Sequence, residues 1–336
     1  MAKAKIVGVG LYAPGEPINH DELKKLADIE FDASKLESKL GYDKRHLAQL
    51  RGIDETTADF ATKAALAAIK NAGIDAKQVG LFIVGTDSPE YISPATSVLV
   101  QGRIQGGEQF SGAFDVVSSC ASAMTAFDIA AKMIAGDPAL EYAVVTGVYN
   151  MSRYIRKGDV FSIPMFSDGA GAFVLKRTED SDPSGYMNNL FLADGTQWDY
   201  LGVYAGGTRK PVTHELLDKG EYGLESLKPL PGDRNIKLWP KFLEKLLEKA
   251  KITVKDIDHI IFTQINRFVI QEVMKIIGLP MEKTTCIMNK YGYTGSACVP
   301  MAFAEAVQAG SVKKGDTVVF IASGSGLTVA GNVFKY

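Results

Sequence analysis

The sequence predicts an α/β fold made of two duplicated halves, on three observations. Short β-branched apolar runs alternate with alanine-rich helical segments along the whole chain. The runs are apolar without a break, as in strands covered on both faces. One register, an offset of 178 residues, also carries the first half onto the second. It places Ala72, Ile74 and Lys77 on Ala250, Ile252 and Lys255, Phe82–Val84 on Ile260–Phe262, and Cys120 on Cys298.

Ala4 to Val9 is β-branched and reads as the first strand. Thr56 to Ala72 reads as a helix, because Thr56 and Asp59 are spaced as a capping box and Gly73 suits a left-handed cap. Gln78–Thr86 is a buried-strand run, and Ala113–Val117 is the next strand. Ser119 to Ala135 is expected as a helix ended by Gly136, and Tyr142–Val148 and Ala172–Lys176 as the strands that complete the first half. Thr317–Ser323 answers Tyr142–Val148 with a slip of a few residues. The halves are therefore set at 1–178 and 179–336. Residues from about 179 to 235 find no counterpart and carry Pro, Gly, Asp and aromatics, so an inserted cap is expected there.

Of the 336 residues, 46% are apolar, enough for a large core. The 37 Lys plus Arg against 39 Asp plus Glu leave a net charge of −2. Without a polybasic field, nucleic-acid and anionic-membrane partners are not expected. No apolar stretch approaches the roughly 18 residues that span a bilayer. The Gly-broken first fifteen residues lack a signal-peptide pattern, so a cytoplasmic protein is expected. The three cysteines, Cys120, Cys286 and Cys298, form no CxxC pair and support neither a disulfide framework nor a zinc site. Nothing calls for a metal or redox cofactor.

Cys120 lies in Phe114-Asp-Val-Val-Ser-Ser-Cys-Ala-Ser-Ala-Met124, which reads as strand, tight turn and helix start. A thiol beside free backbone N–H groups and a helix N-terminus is expected to ionise readily and act as a nucleophile. The small neighbours leave room for a substrate and for N–H donors to an oxyanion. A buried inert cysteine is the other reading of the same residue. Cys286, on an expected strand, and Cys298 read as structural.

Several segments resemble the thiolase-superfamily condensing enzymes, most nearly β-ketoacyl-acyl-carrier-protein synthase III, over almost the full length. They are KIVGVGLYAP, AALAAIKNAGIDAKQVGLFIVGT, FDVVSSCASAM, MFSDGAGAFVLK, KYGYTGSACVPMAFAEAV and GDTVVFIASGSGLTVAGNVFKY. The resemblance implies a thiolase-like five-layered αβαβα fold, a homodimer, and a pantetheine tunnel to a nucleophile at Cys120. It also implies CoA or acyl-carrier-protein thioesters as substrates, and an oxyanion hole from the backbone of Cys120 and Ser325. Asn266 falls on a pantetheine-contacting position, and Arg267 beside it reads as substrate-binding. Tyr91, Ile92 and Ser93 fall on a segment that shapes the acyl pocket across the dimer.

The departures bear on the chemistry. Thr263 stands where the family has a His, in Thr263-Gln-Ile-Asn-Arg267, and Tyr293 stands where it has an Asn, in Tyr291-Gly-Tyr-Thr294. Those two donors normally hold the malonyl carbonyl during decarboxylation, and loss of one such donor costs roughly 10²- to 10³-fold in rate. Thr and Tyr each offer one hydroxyl donor. His259 lies about 13 Å back along the strand from Thr263, and His20, His46 and His214 read as surface residues. Asp87 occupies the place of a catalytic Glu in the related hydroxymethylglutaryl-CoA synthases; it reads either as that acid or as a solvated turn residue. Tyr293 reads as a donor or as pocket filling. Lys35 and Val160 replace a Trp–Arg clamp for the CoA adenine, which tilts the donor toward a carrier protein. Lys241, Lys245, Lys249 and Lys251, with Arg267, read as a docking face for that protein or as an ordinary wet face.

Gly8-Val-Gly10-Leu-Tyr-Ala13 matches a relaxed dinucleotide fingerprint, but Pro14 and Gly15 follow where a helix is required. The reading reached is an acyltransferase that loads Cys120 and transfers or condenses the acyl group, in fatty-acid or related acyl biosynthesis. The alternatives are a non-condensing acyltransferase to an O, N or S acceptor and a non-catalytic partner subunit.

Overall fold

The computed structural model describes residues 3–179 and 181–336. The first half runs β1 (Ala4–Tyr12), α1 (His20–Ala27), α2 (Thr57–Ala72), β2 (Val79–Gly85), α3 (Thr96–Gln105), β3 (Gly112–Val116), α4 (Ser122–Gly136), β4 (Tyr142–Tyr149) and β5 (Gly169–Arg177). The second runs β6 (Gly185–Gln197), β7 (Gly202–Val203), β8 (Leu224–Glu225), α5 (Arg234–Ala250), β9 (His259–Phe262), α6 (Arg267–Ile277), α7 (Cys298–Gln308), β10 (Thr317–Gly324) and β11 (Gly326–Lys335).

One sheet has the order β1-β5-β4-β2-β3 and the other β6-β11-β10-β9. The directions agree pair for pair: β6–β11 and β10–β11 are antiparallel like β1–β5 and β4–β5, and β9–β10 is parallel like β2–β4. Where a fifth strand would complete the second sheet, Thr284 makes a single parallel bridge to Ile260. α4 and α7 lie between the sheets, α2 and α3 cover the outer face of the first, and α5 with α6 covers the second. The layering is αβαβα, the architecture implied by the sequence resemblance.

Between the sheets, Phe127 of α4 and Phe303 of α7 meet Phe320 edge-to-face, with ring centroids 5.9 and 5.3 Å apart. Phe173 and Phe334 join the same fully buried cluster. Such aromatic pairs add about 0.5–1.5 kcal/mol beyond burial, so the cluster ties the two halves together. At the start of α2, Thr56 and Asp59 form the reciprocal capping box and Gly73 closes the helix in the left-handed region.

Three expectations change. Residues 185–197 form β6, which holds in the second sheet the place of β1 in the first, so this stretch does have a counterpart. Its sequence alternates half-buried and exposed positions and lacks the apolar run that exposed the repeat elsewhere. The helix after Cys120 starts at Ser122 rather than Ser119. Ser119 takes a positive φ of 48°, and the Ser122 hydroxyl holds the turn by accepting from Ser118 N–H and donating to Ser119 C=O. Cys286 lies in an extended link, not a strand.

Gly10 on β1 lets α2 approach: a Cβ there would lie 2.4 Å from the Ala64 carbonyl oxygen and 2.5 Å from Ala68 N. Gly136, at the end of α4, has nothing within 4 Å of an added Cβ. Chemical denaturation followed by circular dichroism should show Gly10→Ala destabilised by about 1–3 kcal/mol. Gly136→Ala should gain up to about 1 kcal/mol.

Candidate active site

Cys120 sits in the turn between β3 and α4, and the turn between β10 and β11 presses on it from the other half. A Cβ on Gly324 would lie 2.7 Å from Cys120 N, 2.8 Å from Ser119 Cβ and 2.9 Å from Ser118 O, so only glycine admits this approach. Ser118 Oγ and Thr328 Oγ1 are 2.9 Å apart and tie the two turns together. A cavity of about 560 Å³ opens at the junction. Cys120, Asp87, Tyr149, Phe166 and Ser325 line its wall, and Leu201, Val203 and Leu224 of the β7–β8 hairpin line the opposite side. These hairpin residues belong to the segment between the end of β6 and the start of α5.

Burial pushes the Cys120 thiol up to about 12, and the Asp87 carboxylate adds to the shift. Hydrogen bonds from Tyr293 and Ser119 pull the other way. The readily ionised thiol expected from the helix start is therefore overturned. α4 begins two residues further on, and the N–H groups of Ala121 and Ser122 already donate to Ser118 and Ser119 carbonyls at 3.0 and 2.9 Å. Desolvation dominates what remains.

Asp87 follows β2 and faces the same cavity. Ser119 Oγ donates to its Oδ2 at 3.2 Å and lies 3.7 Å from Cys120 Sγ, while Oδ1 is buried without a partner. Burial raises the Asp87 carboxyl to about 6, so it is no solvated turn residue and exchanges its proton close to neutrality.

Tyr293 is fully buried, bridged to Phe166 through the backbone, with its ring 5.7 Å from Phe166 and 6.4 Å from Tyr149. Burial holds its phenol protonated, as a donor toward Cys120. Thr263 is not brought to this cluster. Its hydroxyl accepts from Ser323 N–H at 2.8 Å and faces the Ser323 carbonyl at 3.4 Å, which ties the end of β9 to β10. Asn266 caps α6, its Oδ1 accepting from Val269 N–H at 3.2 Å, and Arg267 is exposed beside it. Neither lines the cavity around Cys120.

The histidines supply no substitute. His259 bonds Thr285 at 2.8 Å, and burial lowers its pKa to about 4. His20 and His46 are buried rather than on the surface as expected; each is held by a main-chain carbonyl, of Tyr42 at 3.0 Å and of Gly15 at 3.1 Å. Cys298 is sealed, with Gln264 N–H directed at its sulfur from 3.4 Å.

One cavity-lining residue, Tyr149, carried no sequence signal. Tyr149 ends β4, and its ring fits only because Gly295 lacks a Cβ, which would lie 2.3 Å from it. Arg234 opens α5, half-buried, with Cys120 and Tyr293 among the groups whose charge bears on it.

The sequence family 3-oxoacyl-acyl-carrier-protein synthase III matches residues 114–195, and the C-terminal family of the same enzymes matches residues 247–336. A beta-ketoacyl-acyl-carrier-protein synthase III of Xanthomonas campestris pv. campestris is 31% identical over 99% of this chain and 98% of its own. One from Clostridium perfringens (strain SM101) is 30% identical over 100% of both chains. Among solved structures, the 3-oxoacyl-acyl-carrier-protein synthase III of Aquifex aeolicus superposes with a TM-score of 0.85 at 26% identity, covering 99% of this chain and 100% of that one. OleA of Xanthomonas campestris shares the fold with a TM-score of 0.79 at 22% identity, over 99% and 98% of the two chains.

Because the Asp87 charge raises the Cys120 pKa, Asp87→Asn should lower it. Alkylation of Cys120 by the neutral reagent iodoacetamide at pH 8, mapped by peptide mass spectrometry, should then speed up several-fold, toward the factor of about ten that one pKa unit represents. An unchanged rate would remove Asp87 from the electrostatics of the thiol.

Proposed function

The chain belongs to the 3-oxoacyl-acyl-carrier-protein synthase III family of acyltransferases, and from that premise we propose that it carries an acyl group as a thioester on Cys120. The observation that supports this reading is the joint placement of Cys120 and Asp87 on one cavity at the junction of the halves, with the buried Tyr293 phenol directed at the thiol. In the loading step Cys120 sulfur bonds to the acyl carbon, the donor's carbon–sulfur bond breaks, and the donor thiol leaves with a proton. Ser119 lies between Cys120 and Asp87, so the thiol proton has a short route to a carboxylate and back to the leaving group. The Cys120 and Ser325 amides are the oxyanion donors of this reading, and Tyr293 its phenol donor.

Thr263 spends its hydroxyl on Ser323, which favours transfer of the acyl group over decarboxylative condensation. An acyl-carrier-protein thioester is the favoured donor, since Lys35 and Val160 are both exposed and offer no ring or guanidinium to stack an adenine. Asn266 and Arg267 would meet the pantetheine arm at the cavity mouth, and no metal or redox cofactor takes part. No helix among the described residues is long and apolar enough to cross a membrane, and the reading places the protein in the cytoplasm.

A homodimer belongs to the same reading. β3 is an edge strand with β2 as its neighbour, and around it Phe110 (104% exposed), Ile92 (88%) and Val117 (72%) stand in solvent. An open edge flanked by large apolar side chains is a pairing surface. Val117 also lines the Cys120 cavity, so a partner on this edge would border the site.

Intact mass spectrometry after incubation with acyl-CoA and acyl-carrier-protein thioesters should show an acyl adduct that Cys120→Ala lacks. Adding a malonyl thioester should leave the adduct uncondensed; a condensed product would mean that decarboxylation survives without the usual pair. Asp87→Asn should slow adduct formation even though its thiol is more ionised, which separates proton transfer from charge. Native spectra of the same sample should report twice the chain mass, and a monomer would remove the dimer.

A further inference from the structure

Tyr149 brings a phenol to the wall of the Cys120 cavity and finds no protein group there to bond. It ends β4, paired with Gly169 of β5, and is only 2% exposed. Its ring is held on three sides. Gly295 lies against it where a Cβ would be 2.3 Å away, and Phe166 and Tyr293 pack with centroids at 6.2 and 6.4 Å. Tyr42, as deeply buried, spends its hydroxyl on the Ile265 carbonyl at 2.6 Å. The Tyr149 hydroxyl makes no hydrogen bond among the described residues, yet it is not sealed in as the unpartnered Thr294 Oγ1 is. Its open side is the cavity that Tyr149 lines together with Cys120 and Asp87.

Burial pushes the Tyr149 phenol well above its usual pKa, so the group stays an O–H and serves as a donor. In an unliganded cavity, water meets such a donor. An acyl group that fills the cavity displaces that water, and one made only of hydrocarbon leaves the O–H unmet. The thioester oxygen is not the acceptor, because the Cys120 and Ser325 amides and the Tyr293 phenol take that role in the proposed loading step. What is left for Tyr149 is an oxygen carried further along the acyl group. The rest of the wall is largely apolar, with Met151, Phe166, Leu201, Val203 and Leu224, and suits the hydrocarbon remainder of the chain.

We infer that Tyr149 is a specificity residue of the Cys120 cavity, its hydroxyl donating to a hydroxyl or keto oxygen on the acyl chain, so that the substrates are oxygen-bearing acyl thioesters. The inference rests on the proposed loading of Cys120. In that step only the thioester bond is exchanged, and the chain oxygen passes through unchanged.

A competition tests it. 3-Hydroxybutyryl-pantetheine and 3-methylbutyryl-pantetheine have nearly the same shape, with a methyl group in the second where the first has its hydroxyl, and 3-oxobutyryl-pantetheine carries the keto oxygen. Offered together to one sample, they give adducts that intact mass spectrometry tells apart, so their ratios do not depend on how much protein is active. The wild-type protein should favour at least one oxygen-bearing group over 3-methylbutyryl on the order of tenfold, the scale of one buried donor left unmet. Tyr149→Phe keeps the ring against Gly295, removes only the hydroxyl and should lose that preference; which of the two preferences is lost names the acceptor. Wild-type loading that favours 3-methylbutyryl or none of the three overturns the inference without recourse to the variant and leaves the acyl-enzyme standing. So do ratios that Tyr149→Phe leaves unchanged, even where it loads all three more slowly, since a donor to the thioester oxygen serves them equally. No adduct from any of the three removes the acyl-enzyme and the substrate class with it.

Discussion

The approach of Gly324 to the backbone of Ser118–Cys120 is the contact on which the site depends. Neither half holds a complete pocket. The first supplies the thiol, Asp87 and Tyr149; the second supplies the β10–β11 turn and the β7–β8 hairpin. A Cβ at Gly324 would come within 3 Å of Ser118–Cys120, so any side chain there would part the halves beside the Cys120 thiol. The buried aromatic cluster of Phe127, Phe303 and Phe320 holds the sheets at the spacing that makes this approach possible.

Burial and charge oppose one another at the thiol. The same desolvation that raises Cys120 also raises Asp87, and the two anions would disfavour each other. In the resting site the thiol is therefore held protonated, while Asp87, raised to about 6, exchanges its proton near neutrality, and Tyr293 and Ser119 are the donors that ease ionisation of the sulfur.

Much of the fold was legible because strand cores and helix caps are local. The Thr56–Asp59 box, the Gly73 cap and the repeat that carries Phe82–Val84 onto Ile260–Phe262 are written in short, strongly patterned runs. β6 escaped because its faces alternate in exposure and its composition resembles a loop. At the site, the position of Cys120 was legible and its ionisation was not. A helix N-terminus in the sequence promises free N–H groups, but the Ser119 turn consumes them before the helix starts. Thr263 was reasonable as a donor until Ser323 claimed its hydroxyl, a contact 60 residues away in sequence.

Cys120 and Cys298 show how a duplicated scaffold yields a single site. They occupy equivalent places, each just before or at the start of a central helix, and the repeat gave no reason to prefer one. Around Cys298, Gln264 turns its N–H to the sulfur and anchors its amide on Phe262 and Thr285 carbonyls, closing the space completely. Around Cys120, the corresponding volume is left open by small serines and lined by the β7–β8 hairpin, which among the described residues has no equivalent over Cys298. Which thiol faces a cavity therefore follows from what each half places above its helix rather than from the cysteine itself. The segment between β6 and α5, which the repeat could not explain, helps to line the cavity that one of the two equivalent thiols faces.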